Sequence, residues 1–293
     1  GVFAATRMKT SGIAASPFVA AGDWTAYGRS GYGDRHAPAR QITPQNVQQL
    51  QVAWTFHTGD LKGSDDPRQT ASEVTPLKAN GMLYLCTPQH VVIALDPDTG
   101  KQRWRYGPES SRQSTHRRPA VCRGVAYQDS GAYVGTAAAA WLPAPAASSA
   151  APSAPRVVPK GAVAMSSIRF DECPRRILAP TADATIVAIN ADTGQPCGSF
   201  GDHGVIGLDE NQPIRQRGFL DPSSPPLATR HVLIVSAADT DGADTGVIRG
   251  YDIDTGKLLW NWDPSNPAET APVAPGQTSV HHSPNSSVVS SVD

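Results

Sequence analysis

The sequence predicts an all-β chain of four-stranded antiparallel sheets repeated as propeller blades, and three observations carry that expectation. The first is a recurrence. The stretch from Ile93 to Trp104, centred on Asp96-Pro97-Asp98-Thr99-Gly100, returns from Val187 to Phe200 and again from Gly250 to Trp260. Each copy reads as a strand of alternating apolar residues, a tight Asp-x-Thr-Gly or similar turn and a second strand, the sequence form of a β-hairpin. A hairpin repeated at long intervals marks a repeat architecture.

The second observation is the spacing. Thr193 follows Thr99 by 94 residues and Thr255 follows Thr193 by 62, and the excess of the first interval matches an Ala/Pro/Ser-rich stretch at about 136–160. With that stretch set aside, both periods are roughly 60 residues, enough for four short strands and their connections. One such sheet is one propeller blade, so the chain is expected to hold about three to four blades.

The third observation is composition. Gly and Pro number 26 each in 293 residues, and stretches of helical periodicity are few, which favours a turn-rich all-β chain. With 25 basic and 26 acidic side chains the chain is near neutral, so nothing in it attracts nucleic acid or an anionic membrane surface. No apolar run reaches the roughly 20 residues that span a bilayer. Residues Gly1 to Ala21 carry neither the charge nor the hydrophobic segment of a signal peptide, and any export signal is expected upstream.

Taken in order, Leu50 to Asp60 has the alternation of a further hairpin end, with Trp54 standing where Trp104 and Trp260 stand in the later copies. All three tryptophans are expected on closing strands, in equivalent positions, packing between neighbouring blades as architecture rather than chemistry. The stretch at about 136–160 has too many prolines and small residues for a continuous strand or helix, and reads as a surface insertion within one blade. Four dispersed cysteines, Cys86, Cys122, Cys173 and Cys197, contain no C-x-x-C pair. This argues against a zinc ribbon or a c-type haem. One or two disulfides and four buried thiols both remain open, with no pairing implied.

Several motifs in one order then resemble a known family. Gly22-Asp23-Trp24-Thr25-Ala26-Tyr27-Gly28-Arg29, Ile42-Thr43-Pro44-Gln45-Asn46-Val47, Glu73-Val74-Thr75-Pro76-Leu77, Cys122-Arg123-Gly124-Val125 and Gly246-Val247-Ile248-Arg249-Gly250 look like the pyrroloquinoline-quinone-dependent dehydrogenases. The membrane-bound glucose dehydrogenases are the branch most resembled. Cys173-Pro174-Arg175-Arg176 and Ser283-Pro284-Asn285-Ser286 look like that branch, and the adjacent cysteine pair of the alcohol-oxidising relatives is missing.

The resemblance implies a partial quinoprotein domain over residues 1–293, cut from an eight-bladed propeller with the quinone on its axis. It implies oxidation of glucose or another aldose at C1 to the lactone, with electrons passed to ubiquinone. It also implies a periplasmic protein held to the inner membrane by a segment outside this chain. A non-catalytic binding propeller of the outer-membrane-assembly type and a quinoprotein alcohol dehydrogenase are the alternatives.

Residue by residue, the resemblance implies that Arg123 and Glu73 contact the cofactor, with an ordinary surface ion pair and a strand-end surface glutamate as the plainer accounts. Pyrroloquinoline quinone is a tricarboxylate and calls for fixed cations and donors. His116 lies six residues before Cys122, where the family histidine stands three before that cysteine, so a cofactor contact and a loop histidine both stand open. Asn285 is the remaining cofactor candidate. The hard divalent ion, Ca²⁺ or Mg²⁺, wants oxygen ligands; Asp241 matches the family aspartate by motif and Asp244 by loop spacing, and a solvated turn explains either equally well. The family's catalytic base and the tryptophan that follows Ser-Pro-Asn-Ser have no counterpart in this chain, so no residue in it is assigned as base.

Overall fold

The computed structural model describes residues 22–29, 33, 35–60, 70–107, 120–130, 173–208, 220–222, 224–236, 238–239 and 248–262. A short strand, β1 (Thr70–Ala71), leads into a meander of β2 (Leu77–Ala79), β3 (Met82–Cys86), β4 (Val92–Leu95) and β5 (Gln102–Tyr106). After β6 (Ala120–Val121) comes a second sheet, β7 (Ala126–Asp129), β8 (Arg175–Pro180), β9 (Thr185–Asn190) and β10 (Val205–Gly207). After β11 (Leu220–Asp221) comes a third, in which β12 (Leu227–Ala228) and β13 (Val232–Ser236) are followed, beyond β14 (Ala238–Asp239), by β15 (Ile248–Asp252) and β16 (Leu258–Trp262). Each sheet is antiparallel and four-stranded, as the blade reading expects.

Register makes the three sheets copies of one unit. Leu77, Ala126 and Leu227 on the first strands oppose Tyr84, Leu178 and Ile234, which in turn oppose Ala94, Ala188 and Gly250. The turns repeat as well. The side-chain oxygens of Asp96, Asn190 and Asp252 accept backbone N–H bonds from the residues two and three further on, at 2.8–3.2 Å. Each turn closes on a glycine with positive φ: 68° at Gly100, 76° at Gly194 and 72° at Gly256. An Asx side chain here replaces the backbone acceptor of a turn, and glycine takes the left-handed step without a Cβ clash.

The sheets stack face to face. Tyr84, Val92, Ala94 and Trp104 of the first pack on Ile177, Val187 and Ile189 of the second. Leu178, Ile186 and Ala188 on the second sheet's other face pack on Leu233, Val235 and Tyr251 of the third. Because both faces of the middle strands are covered, β4 is buried along its whole length.

Tryptophans seal the junctions. Trp104 Nε1 donates to Ala191 O at 2.8 Å, and its ring lies so close to Gly194 that a Cβ there would stand 2.8 Å from the indole. Trp54 Nε1 donates to Pro97 O at 3.0 Å and covers Gly100, where a Cβ would stand 2.5 Å away. Pro97 and Ala191 hold the same turn position, so Trp54 stands to the first sheet as Trp104 stands to the second. Trp260 faces Gly250 across β15 and β16, as Trp104 faces Ala94 across β4 and β5. A seat for the Trp260 ring on a following turn would lie outside the described residues.

Two sequence expectations need correction. Leu50 to Asp60 is not a strand; Trp54 and Phe56 instead pack on Leu85, Val91, Ile93 and Leu95, on the face of the first sheet away from the second. A strand is defined by a backbone ladder to a partner strand, and among the described residues none pairs with this segment. In the second repeat, the turn after Asn190 does not lead directly into a strand. Only an isolated bridge joins Ile189 to Pro196, and pairing resumes at β10. Proline has no N–H to give a ladder, and Cys197 is tied to Cys173. The insertion at about 136–160 lies outside the described residues.

The third junction is built differently. Ile206 meets Gly256 where the earlier turns meet indoles. Ile253 O, the counterpart of Pro97 O and Ala191 O, accepts from Arg176 Nη1 at 3.0 Å. The Arg176 guanidinium is wholly buried and also donates to Cys173 O and Asp254 O. A buried charge is tolerated where carbonyls take its donors.

Candidate functional site

The first strand of each blade begins at the end where the second finishes, because the two are antiparallel. Residues just before β2 therefore stand beside Cys86, at the end of β3. The matching residues of the next blades gather at the same end. Thr75, Gly124 and Pro225 each precede their first strand by two positions. They meet: a Cβ on Gly124 would stand 3.0 Å from Pro225 Cγ and 3.5 Å from Thr75 O. Just outside them, β1 and β6 pair in parallel from one blade to the next.

At this convergence Arg123 Nε donates to Glu73 Oε2 at 2.9 Å. The side chains retain 40% and 46% of their exposure, so the pair is open to a ligand from solution. The backbone beneath is fixed by a 3.0 Å bond from Thr75 N–H to Arg123 O and by the Cys86–Cys122 disulfide. Both sulfurs lie in the core between the first two sheets. The two best sequence candidates thus come from adjacent blades and touch. Arg123 presents a planar fork of donors suited to carboxylates, and its carrier segment is held on three sides. This donor set fits an anionic group.

His116, Asn285, Asp241 and Asp244 lie outside the described residues. The two aspartates belong to the connection from Ser236 to Ile248, residues paired with each other at the Arg123 end of the third sheet. Among the described residues no cluster of three or more His, Cys, Asp or Glu is arranged to hold a metal. No helix among them is long and apolar enough to cross a membrane.

Sequence reasoning missed three features. The Cys86–Cys122 and Cys173–Cys197 pairings had no local signal. Arg176 passed as one residue of a motif, although it locks a blade junction. His90, with φ 59°, is buried in the turn between β3 and β4, and its Nδ1 donates to Pro180 O of the second blade at 3.0 Å. A cavity of about 370 Å³ lies at the other end of the sheets, lined by residues including Ile206, Tyr251, Gly256 and Lys257. It sits beside the junction that lacks a tryptophan and is remote from Arg123.

Stacked blades whose first strands open onto one half-exposed charged pair make part of a propeller with a polar end. The chain belongs to the pyrroloquinoline-quinone family, matching over residues 24–293 the model described as glucose/ethanol/alcohol dehydrogenase, beta-propeller domain. It is 38% identical over 275 residues to quinoprotein glucose dehydrogenase A of Acinetobacter calcoaceticus, covering 92% of this chain and 31% of the relative. It is 37% identical over 281 residues to quinoprotein glucose dehydrogenase of Escherichia coli (strain K12), covering 94% and 31%. A europium-containing methanol dehydrogenase shares the fold with a TM-score of 0.56 at 21% identity, over 83% of this chain and 32% of that one. The chain spans about 31% of the length of the curated relatives it matches.

Proposed function

We propose that the chain forms part of the cofactor mouth of a quinoprotein dehydrogenase that oxidises glucose or another aldose at C1 to the lactone and delivers electrons to ubiquinone. The observation that carries this reading is the Arg123–Glu73 pair, held at the end where adjacent blades of this family's propeller converge. Bound there, pyrroloquinoline quinone supplies the hydride acceptor. Arg123 holds one of its carboxylates through a charge-assisted bond. Glu73 balances the guanidinium before the ligand arrives and orients it afterwards. Asp241 and Asp244 are the proposed oxygen ligands for Ca²⁺ or Mg²⁺, and His116 and Asn285 the proposed further cofactor contacts. Two buried disulfides suit an oxidising compartment such as the periplasm.

The test is equilibrium titration of the full-length protein carrying this chain with pyrroloquinoline quinone, in wild-type and Arg123→Ala forms. Loss of a hydrogen bond to a charged group is worth about 1.5–3 kcal/mol, so affinity should fall about 10- to 100-fold. Unchanged affinity would show that Arg123 is only a surface ion pair.

A further inference from the structure

We propose that the Cys86–Cys122 disulfide is a positioning device for cofactor recognition, setting where the Arg123 guanidinium stands. The inference rests on the reading of Arg123 as a cofactor contact. It goes beyond that reading by assigning a role to a bond that touches no ligand.

Cys86 is the last residue of β3, a strand paired on both sides and therefore the stiff part of the first blade. Cys122 is the neighbour of Arg123 and belongs to the second blade's entry, residues 122–125, which have no strand ladder of their own. The disulfide therefore carries the rigidity of one sheet across the blade junction to the residue beside the cation. Burial supports this role over that of a surface staple, since Cys86 and Cys122 are 1% and 3% exposed. The segment is also held by the β1–β6 pairing at Ala120 and Val121, by the Thr75–Arg123 backbone bond, by the Gly124–Pro225 contact and by β7 from Ala126; the disulfide is the covalent tie acting on its first residue, next to Arg123. A charge-assisted hydrogen bond weakens steeply once its angle or distance departs from ideal, and misplacement by about 1 Å is enough to lose much of an oriented contact. The second disulfide, Cys173–Cys197, joins the residue two before β8 to the turn after β9, at the opposite end of the second sheet. It closes a comparable span, 24 residues against 36, and is an internal control for stability alone.

The experiment compares full-length Cys86→Ala/Cys122→Ala, Cys173→Ala/Cys197→Ala and Arg123→Ala proteins. Three quantities are measured: the thermal midpoint, the dissociation constant for pyrroloquinoline quinone and that for its trimethyl ester, which lacks the carboxylate charges. Both double variants should lose thermal stability. Only Cys86→Ala/Cys122→Ala should weaken quinone binding, about 10-fold or more, and bring the preference for acid over ester down to that of Arg123→Ala. Binding as tight and as selective as in the Cys173→Ala/Cys197→Ala protein overturns the proposal. If Arg123→Ala itself binds normally, the cofactor reading fails first and the positioning role falls with it. Should the Cys86→Ala/Cys122→Ala protein not fold, Cys86→Ala/Cys122→Val replaces it. That variant refills much of the space of the two sulfurs without the bond and should lower the same acid-over-ester preference, and an unchanged preference refutes the proposal.

Discussion

Asn190 does the work that Asp96 and Asp252 do in the other two repeats, so the turn depends on a side-chain acceptor and not on a charge. Asn190→Asp should leave the thermal midpoint almost unchanged. Asn190→Ala strips the acceptor from two backbone N–H groups and should cost about 1 kcal/mol, read by denaturant unfolding. Tyr84 adds a pH dependence. Its hydroxyl donates to Ala191 O at 3.2 Å, and burial, the largest cause, pushes its pKa from 10.0 up to about 12. The folded state therefore holds the phenol proton more tightly than the unfolded state does. The resulting stability is intact below pH 10 and drains away as pH rises from there towards about 12. Tyr84→Phe should flatten that alkaline decline in thermal melts, and an equally steep decline would show that other groups carry it.

At the scale of the element, the tryptophan seats explain why these glycines are required. Gly81 and Gly194 both have positive φ, 68° and 76°, but nothing lies within 4 Å of a Cβ at Gly81, whereas one at Gly194 would meet the Trp104 ring. Gly81→Ala should pay only the left-handed backbone penalty, about 1 kcal/mol. Gly194→Ala should cost clearly more and expose Trp104, visible as a red shift of its fluorescence. Equal costs would mean that the ring moves aside freely. The hairpin turn and the apolar alternation were legible because both are local. The strand status of Leu50 to Asp60 was not, since alternation records an extended chain with one buried face but cannot supply a bonding neighbour. The Arg176 lock was illegible for a similar reason: its acceptors, Ile253 O and Asp254 O, are backbone carbonyls far along the chain.

For the whole molecule, stacking of blades is what brings the candidate pair together. Glu73 and Arg123 were each readable from a motif, but their 2.9 Å contact exists only because neighbouring blades present the same repeat position at one end. A ligand bound across that mouth should stabilise the fold by mass action, about 2.7 kcal/mol at a concentration 100 times its dissociation constant. Pyrroloquinoline quinone should accordingly raise the thermal midpoint of the full-length protein, and Arg123→Ala should need far more of it for the same rise. The cysteines bear on how such a molecule is made. Cys86 bonds Cys122 and Cys173 bonds Cys197, so each is joined to the next cysteine along the chain. Of these four thiols, taken in chain order, each pair joins neighbours, so within this stretch the native partner is the nearest one along the chain. Forming these two bonds therefore calls for an oxidant but little reshuffling: the first ties one blade to the next and the second closes the second blade on itself.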